Sequence, residues 1–334
     1  MAQAANKIGL HLTVASSHFA EVPRLACEAE ERGYSSLWVA EVSGPDAFLT
    51  LGAVARSTTK AALATGVVPI QIRTPGVMAM SFLTLNDLSN GRAIAGLGVS
   101  SPVIVERWHG ASYRRPVTAM RECVTIMRQL FTEGRAKFDG KVYHCDFRLG
   151  FKSSVTAPRV YLAALNPPML QLAGEIADGV LLNYSPPEAV PAMIDEIQAG
   201  AKRVGRQLDE IDIGMYIRMC ISDDETAAIA AFKRELAGYA FVDAYTAMFA
   251  RYGLAGEFAE VRRLWKAGKR DEAPGALSDD AARRIAAFGT PASGREFVAR
   301  FRAVGVTHPV IFPIGPGRTA RRDFGNTMNA MAEA

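Results

Sequence analysis

The fold of this chain is indicated by two short apolar runs, Leu63-Ala64-Thr65-Gly66-Val67-Val68-Pro69 and Gly91-Arg92-Ala93-Ile94-Ala95-Gly96-Leu97-Gly98-Val99-Ser100-Ser101. A helical pattern from Val77 to Leu88 lies between them. Strands that are apolar throughout and separated by a helix are typical of a parallel sheet buried on both faces. Ligands of such folds bind at the carboxyl ends of the strands. Because glycine lets a ligand approach the backbone closely, the glycines at these ends predict a site for a sizeable planar or phosphorylated ligand.

The same alternation of strand and helix patterns continues along the rest of the chain. Six further strands are predicted, and the absence of a linker rich in Pro, Gly or Ser favours one unit over two doubly wound domains. The predicted fold is therefore α/β, a single (β/α)8 TIM barrel with insertions that spans residues 1–334. The six further strands are Ile8–Val14, Ser36–Ala40, Val160–Ala164, Gly179–Asn183, Ile211–Ile221 and Val310–Phe312.

Two segments depart from the barrel pattern. A hairpin is predicted at about residues 135–149, because Asp139-Gly140 is a typical two-residue turn between short strands. Residues 242–288 are helical in pattern but polar and irregular, and are expected to form a helical insertion. Another helix is predicted at Phe297–Val304, just before the last strand.

Composition narrows the class of protein. The chain has 334 residues, a hydrophobic fraction of 49% and a net charge of +4 with basic and acidic residues dispersed, which argues against nucleic-acid binding. No stretch of 18 apolar residues and no signal-like start is present, so we expect a cytoplasmic protein without membrane contact. Four separated cysteines without a C-x-x-C pair indicate reduced thiols and no metal site.

Four phrases resemble a known family. The segment Leu88–Gly98 resembles the fourth-strand segment of the bacterial luciferase-like oxidoreductases, and Ala164–Asn183 is similar to the fifth-to-sixth strand segment of their deazaflavin-dependent branch. The phrases Phe288-Gly289-Thr290-Pro291 and Gly305-Val306-Thr307 also match. The nearest resemblance is to methylenetetrahydromethanopterin reductase-like enzymes that use coenzyme F420. This resemblance implies a TIM barrel with the deazaflavin lying across the strand ends, and a non-proline cis peptide at Gly66-Val67.

The resemblance also implies which strand ends contact the cofactor. Thr65, Gly66 and Val67 would lie against the ring, and the amides of Gly98, Val99 and Ser100 would contact the coenzyme; an ordinary turn is the alternative for the G-x-G. The start of the helix after the fifth strand would bind a phosphate through its unpaired amides, with Asn166 in the left-handed geometry that relatives give to glycine; a plain helix start is the alternative. The residues of this phosphate site are Leu165, Asn166 and Met169.

Glu41 and His11 are the candidate catalytic residues. Glu41 ends the second strand, where the family carries an acid followed by His, and here Val42 replaces that His. The carboxylate could bind the ring or hold a proton, or it could face solvent in a helix turn. His11 lies where methanopterin reductases have Glu; it could donate a proton at neutral pH or be a buried core histidine. Weaker candidates for a substrate pocket, with purely structural alternatives, are Arg73, Trp108, His109 and Asn183.

The function predicted from these residues is a coenzyme F420-dependent oxidoreductase that transfers a hydride between the deazaflavin and an organic small molecule. One alternative is a monooxygenase that uses FMN and dioxygen, because the same barrel serves both chemistries. A non-catalytic flavin- or deazaflavin-binding protein is another, indicated by Val42. A methanopterin or folate reductase is disfavoured by the missing first-strand Glu. By the same resemblance the protein is expected to form a homodimer.

Overall fold

The computed structural model describes residues 7–12, 19–317 and 319–332 of the chain, and in this part eight parallel strands close into a barrel. Each barrel strand pairs with the next along the chain, and the last pairs with the first. The predicted TIM barrel is confirmed. In chain order the strands are β1 (Gly9–His11), β2 (Ser36–Val39), β3 (Ala62–Thr65), β4 (Val68–Pro69), β5 (Ala93–Gly98), β6 (Arg135–Asp139), β7 (His144–Arg148), β8 (Arg159–Ala163), β9 (Gly179–Asn183), β10 (Asp212–Ile221), β11 (Ala286–Gly289) and β12 (His308–Pro313).

Helices separate the barrel strands and cover their outer surface. Prolines stand in the first turn of several of them, where the missing N–H removes no helical hydrogen bond. The helices are α1 (Val22–Glu31), α2 (Ala47–Ser57), α3 (Pro75–Leu88), α4 (Pro116–Glu133), α5 (Pro167–Ile176), α6 (Val190–Arg203), α7 (Glu225–Gly238), α8 (Asp243–Arg251), α9 (Ala255–Lys266), α10 (Asp279–Ile285), α11 (Pro291–Ala303) and α12 (Ala320–Met331).

The barrel interior is filled by every second residue of each strand, because successive side chains of a strand point to opposite faces. A central cluster includes Trp38, Tyr161 and Tyr216, all buried. We call the carboxyl ends of the strands, where His11 and Asn183 lie, the mouth of the barrel. The amino ends, where Ser36 and His308 lie, are its floor.

A two-stranded hairpin lies beside the eight barrel strands. β6 and β7 pair antiparallel between α4 and β8, at the place where the sequence predicts a hairpin. Three backbone N–H groups of the turn donate to the Glu122 carboxylate of α4, which fixes the hairpin against the barrel. The Tyr143 hydroxyl then donates to the Ile70 carbonyl at 2.9 Å. The hairpin therefore supports the segment that follows β4.

The sequence predicts a helical insertion at residues 242–288, but the segment is not wholly helical. Its last residues form β11, which pairs with the outer half of β10 from Arg218 to Ile221. β10 is ten residues long and extends beyond β9, so its outer half would otherwise lack a partner on one side.

One further predicted boundary differs from the structure, and another falls on residues that are not described. α11 begins at Pro291, six residues before the predicted Phe297, because Thr290 caps it by accepting from Ser293 N–H. The described part of the first strand ends at His11, and residues 13–14 of the predicted strand lie outside the described residues.

Candidate functional site

The mouth is organised around the peptide that follows β3. The Gly66-Val67 bond is cis, as the family resemblance implies. The Gly66 N–H donates to the Val39 carbonyl of β2 at 2.8 Å, and the Tyr216 hydroxyl of β10 donates to the Gly66 carbonyl at 2.8 Å. The Val67 carbonyl in turn accepts from the Glu41 N–H at 3.2 Å. Strands from opposite sides of the barrel thus hold this segment in place.

Gly98 and Thr65 shape the adjoining wall. A Cβ atom on Gly98 would overlap the Val67 side chain, so glycine is needed for Val67 to lie against β5. The Thr65 hydroxyl donates to the Gly96 carbonyl at 2.7 Å and accepts from the Gly96 N–H at 3.0 Å. Its side chain is fully buried. This hydroxyl therefore joins β3 to β5, and a cofactor contact of Thr65 stays a prediction.

Glu41 and Arg73, two of the predicted site residues, form a bidentate ion pair. Arg73 Nε and Nη2 donate to the two carboxylate oxygens of Glu41, each at 2.9 Å. Glu41 also accepts from the Ala47 N–H at 3.1 Å, and Arg73 donates to Asp46 at 2.5 Å. The hydrogen bond to Glu41 is the main cause of the raised pKa of Arg73. Both oxygens of Glu41 therefore already accept hydrogen bonds.

His11 lies inside the barrel and is 1% exposed. Its ring stacks on Phe312, with centroids 3.9 Å apart, and meets the Tyr216 ring edge-on at 5.3 Å. Burial, and then the charge of Arg218, lower the pKa of His11 well below its ordinary value. A buried position with a lowered pKa is typical of a core histidine, the alternative given for this residue, and a role of His11 in proton transfer stays a prediction.

Arg218 of β10 is a residue that the sequence analysis missed. Its side chain is buried, and its guanidinium lies 3.8 Å from the Tyr184 ring centroid and 4.2 Å from that of Phe312. Nε donates to Glu235 of α7 at 3.3 Å, and Nη1 donates to the Asn183 side-chain oxygen. Such a buried cation needs acceptors on every side. The sequence feature that could have identified this residue is a single Arg within the apolar run 211–221.

Asn183, predicted to line a pocket, connects this cation to the helical insertion. Its oxygen accepts from Arg218, and its Nδ2 donates to the Tyr245 hydroxyl of α8 at 2.8 Å. The Asn183 side chain lies at the mouth with both of its polar atoms paired. The predicted residue is therefore part of a polar network that runs from β10 to α8.

The start of α5 does not have the unpaired amides that a phosphate site was expected to use. Its first two residues, Pro167 and Pro168, have no N–H, and the N–H groups of Met169 and Leu170 both donate to the Asn166 carbonyl. Asn166 is extended, with φ −125° and ψ 153°, rather than left-handed. The first turn of the helix therefore supplies no free donor, which corrects the physical basis of that prediction.

The remaining predicted residues divide into two groups. Ser100 lies beyond β5 with φ +56°, and Val99 is partly buried against the main core. Trp108 ends a short π-helical turn and is 54% exposed, and His109 follows it, also exposed. Among the described residues no side-chain hydrogen bond or ring contact joins Trp108 or His109 to the mouth, so the structure does not bring them into this group.

A family model described as luciferase-like monooxygenase matches residues 3–308 of the chain. The chain belongs to this luciferase-like family. A Mycobacterium tuberculosis protein named as a candidate coenzyme F420-dependent oxidoreductase is 31% identical over 308 residues, which are 86% of this chain and 89% of that protein. The 5,10-methylenetetrahydromethanopterin reductase of Archaeoglobus fulgidus is 30% identical over 299 residues, 87% of this chain and 89% of its own. The structure of the coenzyme F420 dependent tetrahydromethanopterin reductase from Methanopyrus kandleri superimposes with a TM-score of 0.80 at 24% identity, covering 98% of this chain and 97% of that one.

In this luciferase-like chain, Gln71 is an orphaned polar group near the mouth. It follows Ile70, whose N–H donates to the Gly98 carbonyl at 3.0 Å. Its side-chain Nε2 and Oε1 are buried, and neither has a hydrogen-bond partner among the described residues. Because buried amides are normally paired, Gln71 is a candidate ligand contact. Nothing in the sequence pattern distinguished it from an ordinary loop residue.

The structure of this family member also has a cavity that is separate from the predicted site residues. A cavity of about 330 Å³ lies beyond the ends of β10 and β11, and none of the predicted site residues lines it. Across the described ranges, no group of three His, Cys, Asp or Glu side chains is arranged to hold a metal ion. In the same ranges no helix has the length and apolar character that crossing a bilayer requires.

Proposed function

We propose that the protein binds coenzyme F420 at the mouth of the barrel and transfers a hydride between it and a small organic substrate. The observation that carries this proposal is the Gly66-Val67 segment, held between β2 and β10 by hydrogen bonds to Val39 and Tyr216, in a luciferase-like chain whose similar proteins are named as F420-dependent. When bound, the deazaflavin supplies a two-electron hydride donor or acceptor.

The residues present fit such a group. The Val67 side chain and Gly98 would form the surface beneath the ring, and the orphaned Gln71 amide provides a donor and an acceptor near it. The segment from Val99 to Ser100 would contact its edge. The loop at Leu165 and Asn166 would approach the tail. These contacts bind and orient the coenzyme, and they exclude water on the barrel side.

In this proposal Glu41 handles the proton at the substrate, and neutral His11 shapes the apolar side of the pocket. Arg73 positions the Glu41 carboxylate through two hydrogen bonds. The Arg73 pair limits Glu41 to one orientation, which suits a group that must meet a substrate atom at hydrogen-bond distance.

The decisive experiment is the separate titration of the purified protein with oxidised coenzyme F420 and with FMN, followed by fluorescence and calorimetry. We expect micromolar or tighter binding of F420 and no comparable binding of FMN. Preference for FMN would replace the proposal with an oxygen-dependent monooxygenase, in line with the description of the family model. Binding of neither compound would refute the cofactor assignment. Tight binding of F420 without turnover in a broad acceptor screen would indicate a non-catalytic binding protein.

The role of Glu41 has a matched control in Asp46, because both carboxylates bind the same guanidinium. With a substrate found in the screen, Glu41→Gln is expected to lower kcat at least about a hundredfold, the usual contribution of a general acid or base. Asp46→Asn should leave kcat within about threefold, since asparagine also caps a helix. F420 affinity should be unchanged in both variants. Equal losses of kcat would show that the cluster acts only by supporting the wall.

The homodimer and the cytoplasmic location remain predictions. Light scattering coupled to gel filtration measures the first directly, and a monomer at micromolar concentration would refute it.

A further inference from the structure

Arg251, the last residue of α8, makes an unusual set of contacts with the loop after β8. Its Nη2 donates to the Leu165 carbonyl at 3.0 Å and to the Asn166 side-chain oxygen at 2.9 Å. Its Nη1 donates to the Ala247 carbonyl at 3.3 Å, a contact within its own helix that resembles a C-terminal cap. The first two contacts hold the guanidinium against a loop that lies two residues beyond the end of a barrel strand.

The charge of this guanidinium is not compensated. All three acceptors are neutral oxygens, and no described Asp or Glu lies within ion-pair distance of Arg251. Two other arginines of the insertion pair with a carboxylate, Arg263 with Glu260 and Arg283 with Glu225, whereas Arg262 donates to the Ala240 carbonyl, away from the strand ends. The Arg251 side chain is exposed, so an anion can reach it from solvent. A cation fixed by neutral groups next to a strand end favours an anionic ligand.

The loop itself adds donors at the same place. The N–H groups of Leu165 and Asn166 donate to no described acceptor. The loop is held by a second contact to α8, from Asn166 Nδ2 to the Ala244 carbonyl at 3.1 Å. Because the prolines at the start of α5 remove the helix as a source of donors, the guanidinium and these two amides are the groups that remain.

We propose that Arg251 recognises the anionic tail of the coenzyme, a phosphodiester followed by carboxylates, and so selects the tailed coenzyme over the bare deazaflavin. This inference rests on the proposed function, because it assigns a residue to the same site. It places the determinant of cofactor choice in the helical insertion rather than in the barrel strands.

The test compares the affinities of the intact protein for coenzyme F420 and for its tail-free deazaflavin alcohol, by fluorescence titration at low salt. Arg251→Gln removes the charge and keeps an amide that can donate to the loop, and Arg251→Lys keeps the charge. Arg262→Gln is the matched control, because Arg262 lies on the same insertion and donates only to a carbonyl, that of Ala240, at 3.4 Å. We expect Arg251→Gln to weaken F420 binding about tenfold, the contribution of one charge-assisted hydrogen bond.

The same variant should change the affinity for the tail-free deazaflavin less than twofold, Arg251→Lys should recover part of the loss, and Arg262→Gln should match the parent protein. An unchanged F420 affinity in Arg251→Gln would overturn the inference. Equal weakening for both probes would also overturn it, since that result shows a loop support only. If the parent protein binds neither probe, the proposed function itself fails.

Discussion

The two ends of the barrel interior are built on different principles, although each contains a buried histidine. At the floor, the Ser36 hydroxyl lies 2.7 Å from His308 Nε2 and accepts from Trp38 Nε1 at 2.7 Å. These three residues belong to β2 and β12, which are barrel strands. The hydrogen bonds of this floor network are therefore made within the barrel itself, and His308 Nδ1 has no hydrogen-bond partner among the described residues.

At the mouth, the Arg218 and Asn183 side chains depend on elements outside the barrel. Arg218 donates to Glu235 of α7, and Asn183 donates to Tyr245 of α8. His11 shares the same space and stacks on Phe312. The polar network at the floor is thus formed by barrel strands alone. The network of Arg218 and Asn183 at the mouth forms only when α7 and α8 pack against the strands. Because segments outside the barrel strands vary more between related proteins, we expect differences in function within the family to arise at the mouth.

The largest expected difference between the two ends comes from their arginines. Arg218→Met should lower the free energy of unfolding by about 3 kcal/mol, because it removes a buried cation from Glu235 and Asn183. Arg159→Met at the floor should cost about 1 kcal/mol or less, since Arg159 is 45% exposed and Lys7 still pairs with Asp212. Urea unfolding followed by circular dichroism measures both, and equal costs would contradict the comparison.

A second difference concerns pH. Burial lowers the pKa of His308 to about 4, whereas an unfolded histidine titrates near 6.5. The unfolded chain therefore binds the proton first as pH falls. Stability should be unaffected by this group above about pH 6.5 and should decrease by about 1.4 kcal/mol per pH unit between 6.5 and 4.

His308→Gln provides the control for this pH effect. Between pH 7 and pH 5 the parent protein should lose about 2 kcal/mol more of its free energy of unfolding than the variant does. The same sign is expected for His11, whose pKa is also lowered by burial. Identical pH dependence in parent and variant would show that His308 is not the source.

The smallest expected difference compares one hydroxyl at each end. Ser36→Ala leaves two buried groups, on Trp38 and His308, without their partner and should cost about 2 kcal/mol. Tyr245→Phe removes only the acceptor of the Asn183 amide and should cost about 1 kcal/mol. Thermal or urea unfolding of the two variants gives the ranking, and the reverse order would mean that the mouth network is the more tightly coupled one.

Much of the barrel was predictable because its signals are local. The apolar runs at Ala62–Thr65 and Ala93–Gly98 mark buried strands, and the pattern of Ala47–Ser57 marks a helix with the observed bounds. The short strand Ala286–Gly289 was missed because its four residues fit a helix equally well. Only its pairing with the outer half of β10 makes it a strand.

The sequence by itself determined the order of the eight barrel strands and the helices between them, the parallel barrel and the glycines at its mouth, because residue periodicity and size act over a few neighbours. The tertiary structure decided what each side chain does there. It paired Glu41 with Arg73, used the Thr65 hydroxyl between two strands, buried Arg218 among aromatic rings and brought Arg251 to the loop after β8. These partners lie some 30 to 90 residues apart in the chain, and only packing in three dimensions sets which groups meet and which are shielded from water.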